Sequence, residues 1–99
     1  MSKRHQEWPF RDPPNVATIS LRDIMEGRRP ILLVGHDADD GMWQFLDDRD
    51  NPDPNDAVVL SLDCVLGLDP TIAELADLPL GWRAWRDGVN QPWQREPAE

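Results

Sequence analysis

Two apolar runs of strand length, "ILLVGH" at residues 31–36 and "MWQFL" at residues 42–46, are separated only by the polar stretch Asp37 to Gly41. Such runs joined by a stretch ending in Asp40-Gly41 predict an antiparallel hairpin: glycine supplies the positive φ that tight turns demand, and aspartate folds its carboxylate back onto nearby amides. The first run has no polar interruption before its end, so it reads as a central strand buried on both faces. An isolated hairpin is not stable in water, so further strands or helices must cover it.

The flanking sequence supplies them. "NVATIS", residues 15–20, has the β-branched pattern of a strand, and Ser20 with Asp23 approximates a capping box for a short helix over residues 21–27, closed by Gly27. "AVVLSL", residues 57–62, reads as another strand leading into a helix "LDCVLG" capped by Ser61. Asp69 followed by Pro70 opens a third helix, "PTIAELAD", with aspartate at the cap and proline at the first helical position. "WRAWR", residues 82–86, is a closing strand. The expected fold class is α+β: about five strands in a mixed sheet, with two or three short helices on one side.

Residues 1–14 hold Pro9, Pro13 and Pro14 and read as an extended arm, pinned by Trp8 and Phe10. Residues 15–93 form one α+β domain, and residues 94–99 a frayed tail. Residues 47–56 carry no apolar side chain and read as an exposed loop. A chain of 99 residues has room for one core, burying ~65% of the surface that its unfolded form exposes.

The net charge of −9 repels phosphate backbones and anionic lipid heads, so neither nucleic acid nor a membrane is an expected partner. A basic protein surface is. With Cys64 as the single cysteine no intrachain disulfide is possible, and the N-terminal "MSKRHQEWPF" has no apolar core of a secretory signal, so a cytoplasmic location is expected.

The densest chemistry is the segment His36, Asp37, Asp39 and Asp40. Counted as a helix-flanked calcium loop from Asp37, it places Gly41 at the fifth position, where a ligand is required, and strands instead of helices on either side. A solvated acidic turn is the better reading. His36 as a base with Cys64 as nucleophile is a poor alternative, because Cys64 lies beside Leu62, Val65 and Leu66 on an apolar stripe and reads as a buried, inert thiol. No glycine-rich phosphate loop, Cys/His metal spacing or nucleophile elbow occurs, so no catalytic residue, metal or cofactor is expected.

Five tryptophans are the other anomaly. Strand alternation sends Trp82 and Ala84 to one face of the closing strand, and Arg83 and Trp85 to the other. Trp85 is therefore either an interface residue or covered by one of the termini.

The turn "DGMWQF", the segment "SLDCVLGLDPTIAEL" and the ending "DLPLGWRAWR" together resemble a family of small bacterial proteins built on a domain of unknown function. That family is distantly similar to the immunity proteins of polymorphic toxin systems. The resemblance covers residues 15–93 and implies a fold and, through such relatives, neutralisation of a protein partner. The expected function is thus a non-enzymatic protein-binding module. Eight aspartates between positions 37 and 56 would meet a basic partner, and Asp37, Asp39, Asp40, Asp47, Asp48 and Trp85 are the candidate contacts. A small metal-dependent hydrolase using His36, Asp37, Asp39 and Asp40, and a purely structural subunit, are the alternatives.

Overall fold

The computed structural model describes residues 8–49 and 53–98. Residues 1–7 of the arm, residues 50–52 of the acidic loop and Glu99 lie outside the described residues. The elements run β1 (Ala17–Leu21), α1 (Arg22–Met25), β2 (Leu33–His36), β3 (Trp43–Leu46), a 3₁₀ turn (Pro54–Asp56), β4 (Ala57–Ser61), α2 (Leu62–Leu68), a 3₁₀ helix (Pro70–Leu75), β5 (Trp82–Trp85) and β6 (Gln94–Pro97). The strands form one sheet in the order β4-β1-β3-β2-β5-β6. Among the described residues only β1 and β3 pair in parallel, so the sheet is mixed and the fold is α+β, as expected.

The hairpin anticipated from Asp40-Gly41 forms at the centre of the sheet, with His36 opposite Trp43 and Val34 opposite Phe45. Gly41 has φ +73°, the left-handed conformation that a residue with a Cβ avoids. The registers place Val34, Trp43, Phe45 and Ala84 on one face of the sheet. Ile24 of α1, Leu62 and Val65 of α2, and Ile72 and Leu75 of the 3₁₀ helix pack against that face and complete the core. Phe10 of the arm is also buried, edge-on to Trp43 at 5.3 Å between centroids.

Because the helical segments lie over one face, β2 is not buried on both sides as its apolar run suggested. Val34 is fully buried, whereas Leu33 and Gly35, on the opposite face, are half-buried. The strand count exceeds the expected five because β6 pairs with β5 from Gln94 to Pro97, where a frayed tail was expected. Its composition is polar and ends in proline, which suits an edge strand needing partners on one side only.

The caps also differ from expectation. Ser20 is completely buried and donates its hydroxyl to the Phe45 carbonyl at 2.8 Å, tying β1 to β3, so α1 starts after Leu21 without a side-chain cap. Ser61 does occupy the position before α2, but its hydroxyl donates to the Asp63 carboxylate at 2.6 Å. Asp69 caps as read, accepting from the Thr71 amide at 3.0 Å, and the segment it opens is 3₁₀ and ends at Leu75. Cys64, expected to be buried, is exposed: the inward stripe of α2 is Leu62 and Val65, and Cys64 falls outside it.

Candidate functional site

The candidate contacts divide between the two ends of the sheet. His36 and Trp82 are opposite each other beside the β2–β3 turn, whereas Leu33, Leu46 and Trp85 align at the far end. Asp37, Asp39 and Asp40 therefore share one end, and Asp47, Asp48 and Trp85 the other. The six do not form one surface.

At the far end, Asp47 corrects the expectation of an exposed acidic contact. Its side chain is 1% exposed, and its carboxylate accepts from Arg29 Nε at 3.0 Å and from Arg49 Nε at 2.8 Å. It also accepts from the Arg49 amide at 3.0 Å. Burial alone would push this carboxyl up, but the hydrogen bonds from the Arg49 side chain, the Arg49 backbone and Arg29 outweigh it and hold Asp47 below the usual carboxylate range. Asp47 is thus a structural anchor for the segment after β3. Asp48 next to it is exposed and within 3.8 Å of Arg29. Trp85 is half-buried on the sheet face away from the core, in a cleft of about 430 Å³ with Leu33, Asp48, Arg49, Arg83 and Asp87.

At the near end, residues 37–42 close the hairpin. The Asp37 amide donates to the Met42 carbonyl at 2.9 Å, and the Gly41 amide to the Asp37 carbonyl at 3.0 Å. One oxygen of Asp37 accepts from the Asp39 amide at 2.8 Å, and one of Asp40 from the Met42 amide at 2.9 Å. These are the local side-chain bonds that make aspartate a turn residue. They leave the Asp39 carboxylate and the second oxygens of Asp37 and Asp40 without a hydrogen-bond partner among the described residues. Asp39 and Asp40 are exposed and Asp37 is half-buried.

His36 behind the turn is held on two sides. Its Nδ1 is 2.8 Å from the Leu78 carbonyl, and since a carbonyl only accepts, Nδ1 carries the proton. The ring stacks on Trp43 at 3.8 Å and 12°, and Trp43 Nε1 donates to the Asp12 carboxylate at 2.9 Å. This chain of contacts joins the arm, the hairpin and the loop before β5. It fixes the base of the turn. Among the described residues, no three of the His, Cys, Asp and Glu side chains come together as a cation site.

Two clefts flank the turn. One, about 370 Å³, lies between the turn and the start of β5 and is lined by Asp37, Asp39, Gln44, Trp82 and Ala98. The other, about 580 Å³, lies between the arm and the loop before β5 and includes Asp12, Trp43, Asp77 and Leu80. Leu80 is 57% exposed.

Sequence reasoning missed Arg86, which it placed at the end of a strand. Its side chain is 2% exposed and paired with Asp69 at 2.6 Å. Nε and Nη2 both donate to the Ile31 carbonyl, Nη1 donates to Thr71 Oγ1, and the guanidinium lies 4.3 Å from the Trp93 ring centroid. All these groups are occupied, so Arg86 joins β5, the approach to β2, the 3₁₀ helix and the segment before β6. No signal in "WRAWR" separates this arginine from Arg83, which pairs with Glu96 on the surface.

No helix among the described residues is long and apolar enough to cross a membrane. In comparisons with protein-family models, curated proteins and solved structures, the chain finds no match.

Proposed function

We propose that this chain is a non-enzymatic, cytoplasmic protein-binding module that meets a basic partner through the acidic β2–β3 turn, in the manner of an immunity protein neutralising its target. One contrast supports this reading. Asp23, Glu26, Asp47, Asp48, Asp69, Asp77 and Glu96 each lie within ion-pair distance of an arginine, whereas Asp37, Asp39 and Asp40, like Asp12, Asp53, Asp56, Asp63, Glu74 and Asp87, have no such partner among the described residues, and only in the turn do three of these unpaired carboxylates fall within four positions. A group of like charges held together on a rigid hairpin creates a field that speeds encounter with a cationic surface. The exposed Leu80 next to Gly41 adds apolar contact area, and the combination of an apolar centre with a charged rim is that of a protein interface.

The commitments of the reactive groups favour binding over catalysis. His36 uses Nδ1 to hold a backbone carbonyl and one ring face to cover Trp43, and Asp37 and Asp40 each spend an oxygen on the turn. The test is capture from a bacterial cytosolic extract on immobilised protein, followed by elution with increasing sodium chloride. A defined basic protein released as salt rises is the expected result. Recovery of chaperones alone, or of a partner indifferent to salt, contradicts the proposal.

A further inference from the structure

The two edges of the sheet are protected very differently. β6 presents Arg95, Glu96 and Pro97, and both charge and proline discourage another strand from adding to an edge. β4, "AVVLS", has neither charge nor proline. Among the described residues it pairs with β1 on one side only, and Val59 at its middle is 66% exposed.

The phase of the β1–β4 ladder shows what the outer side offers. The Leu62 amide donates to the Val16 carbonyl at 2.9 Å, and Thr18 Oγ1 reaches the Leu60 carbonyl at 2.8 Å. Bonded pairs alternate along an antiparallel ladder, so the backbone groups of Val58 and Leu60 face β1 and those of Ala57, Val59 and Ser61 face outward. The Ala57 amide is taken by the Pro54 carbonyl. The Ala57 carbonyl, both Val59 groups and the Ser61 amide have no partner among the described residues. These four alternate as an added antiparallel strand requires.

Charge selects the occupant. Asp53 and Asp56 precede β4 and Asp63 follows it, and none of the three is in an ion pair among the described residues. A second copy paired antiparallel about Val59 would bring Asp56 of each chain to the start of the other's α2, whose first turn carries Asp63. Like charges there oppose self-pairing. We propose that β4 is an open edge that accepts a β-strand from a partner protein, with alternating apolar residues and flanking lysine or arginine. β1 and β3 separate this edge from the acidic turn, so the two surfaces are tested separately.

The probe is the peptide Lys-Lys-Thr-Val-Thr-Val-Lys-Lys, with its ends blocked, titrated into the full chain while backbone amide shifts and hydrogen exchange are followed. Shifts centred on residues 57–61, with slowed exchange of the Val59 and Ser61 amides, are expected. Val59→Pro removes one outward donor and leaves the ladder to β1 intact; provided its amide spectrum remains native, it should weaken binding by about tenfold or more. Replacing the peptide lysines by glutamates should weaken it by a similar factor. The proposal is overturned by no shift at β4 up to about 1 mM peptide, by equal binding of the glutamate peptide or of the proline variant, or by β4 shifts that follow protein concentration without peptide.

Discussion

Replacing Arg86 by alanine removes the most heavily used polar side chain of the described fold, and the size of the effect follows from what it leaves behind. The Asp69 carboxylate keeps its bonds from the Thr71 amide and hydroxyl and is 18% exposed, so it is only partly stranded. The Ile31 carbonyl, on a residue that is 2% exposed, loses both of its guanidinium donors. Trp93 loses the cation over its ring. Breaking a buried pair in this way costs about 3–5 kcal/mol, against a total stability of about 5–15 kcal/mol for a domain of ordinary stability. Urea unfolding followed by circular dichroism should show the midpoint falling with the m-value unchanged, and Tm dropping by roughly 12 °C or more. Arg86→Lys keeps a charge near Asp69, but a single ammonium cannot reach Ile31 and Thr71 together or lie flat on Trp93. It should lose about 1–3 kcal/mol. A loss below about 1 kcal/mol for the alanine variant, or a lysine variant equal to wild type, refutes the clamp.

Other outcomes follow from the same geometry. Asp47 titrates below the usual aspartate range in the folded chain, so its contribution is fully present above the unfolded value of about 3.9 and is lost as pH falls through the folded one. Asp47→Asn should therefore lower stability at neutral pH by about 1–3 kcal/mol, a range discounted for the partly exposed arginines, and flatten the acid limb of urea midpoint against pH. Gly41→Ala puts a Cβ on a residue at φ +73° and should cost about 1–2 kcal/mol by urea unfolding. Asp12→Ala leaves the buried Trp43 indole N–H without its acceptor; about 1–2 kcal/mol of destabilisation and faster tryptic cleavage after Arg11 are expected.

The central hairpin, the strands on either side of it and the face of the closing strand were legible in the sequence, because each rests on local chemistry: Asp40-Gly41 demands a turn, and a period of two separates Trp82 and Ala84 from Trp85. Features set by distant partners were not. Asp47 looks like one more acid in an acidic run, and only the approach of Arg29, 18 residues earlier in the chain, makes it a buried anchor. Ser20 has the sequence of a cap, but the parallel pairing of β1 with β3 brings the Phe45 carbonyl within its reach. β6 was hidden because a charged segment ending in proline has no strand signature, and its pairing depends on β5 offering a free edge. For the candidate site, the acidic turn itself was visible, but the division of the acidic loop between opposite ends of the sheet was not.

The central claim, that the turn carboxylates carry recognition, is tested most directly by removing equal charge from two places and weighing the partner that each protein retains. The triple variant Asp37→Asn/Asp39→Asn/Asp40→Asn and the control Asp48→Asn/Glu74→Gln/Asp87→Asn change the net charge by the same amount. Partner recovery on the first should fall by about tenfold or more relative to wild type, and recovery on the second should stay within about twofold. Equal losses on both would reduce the turn to a solubilising surface and contradict the account.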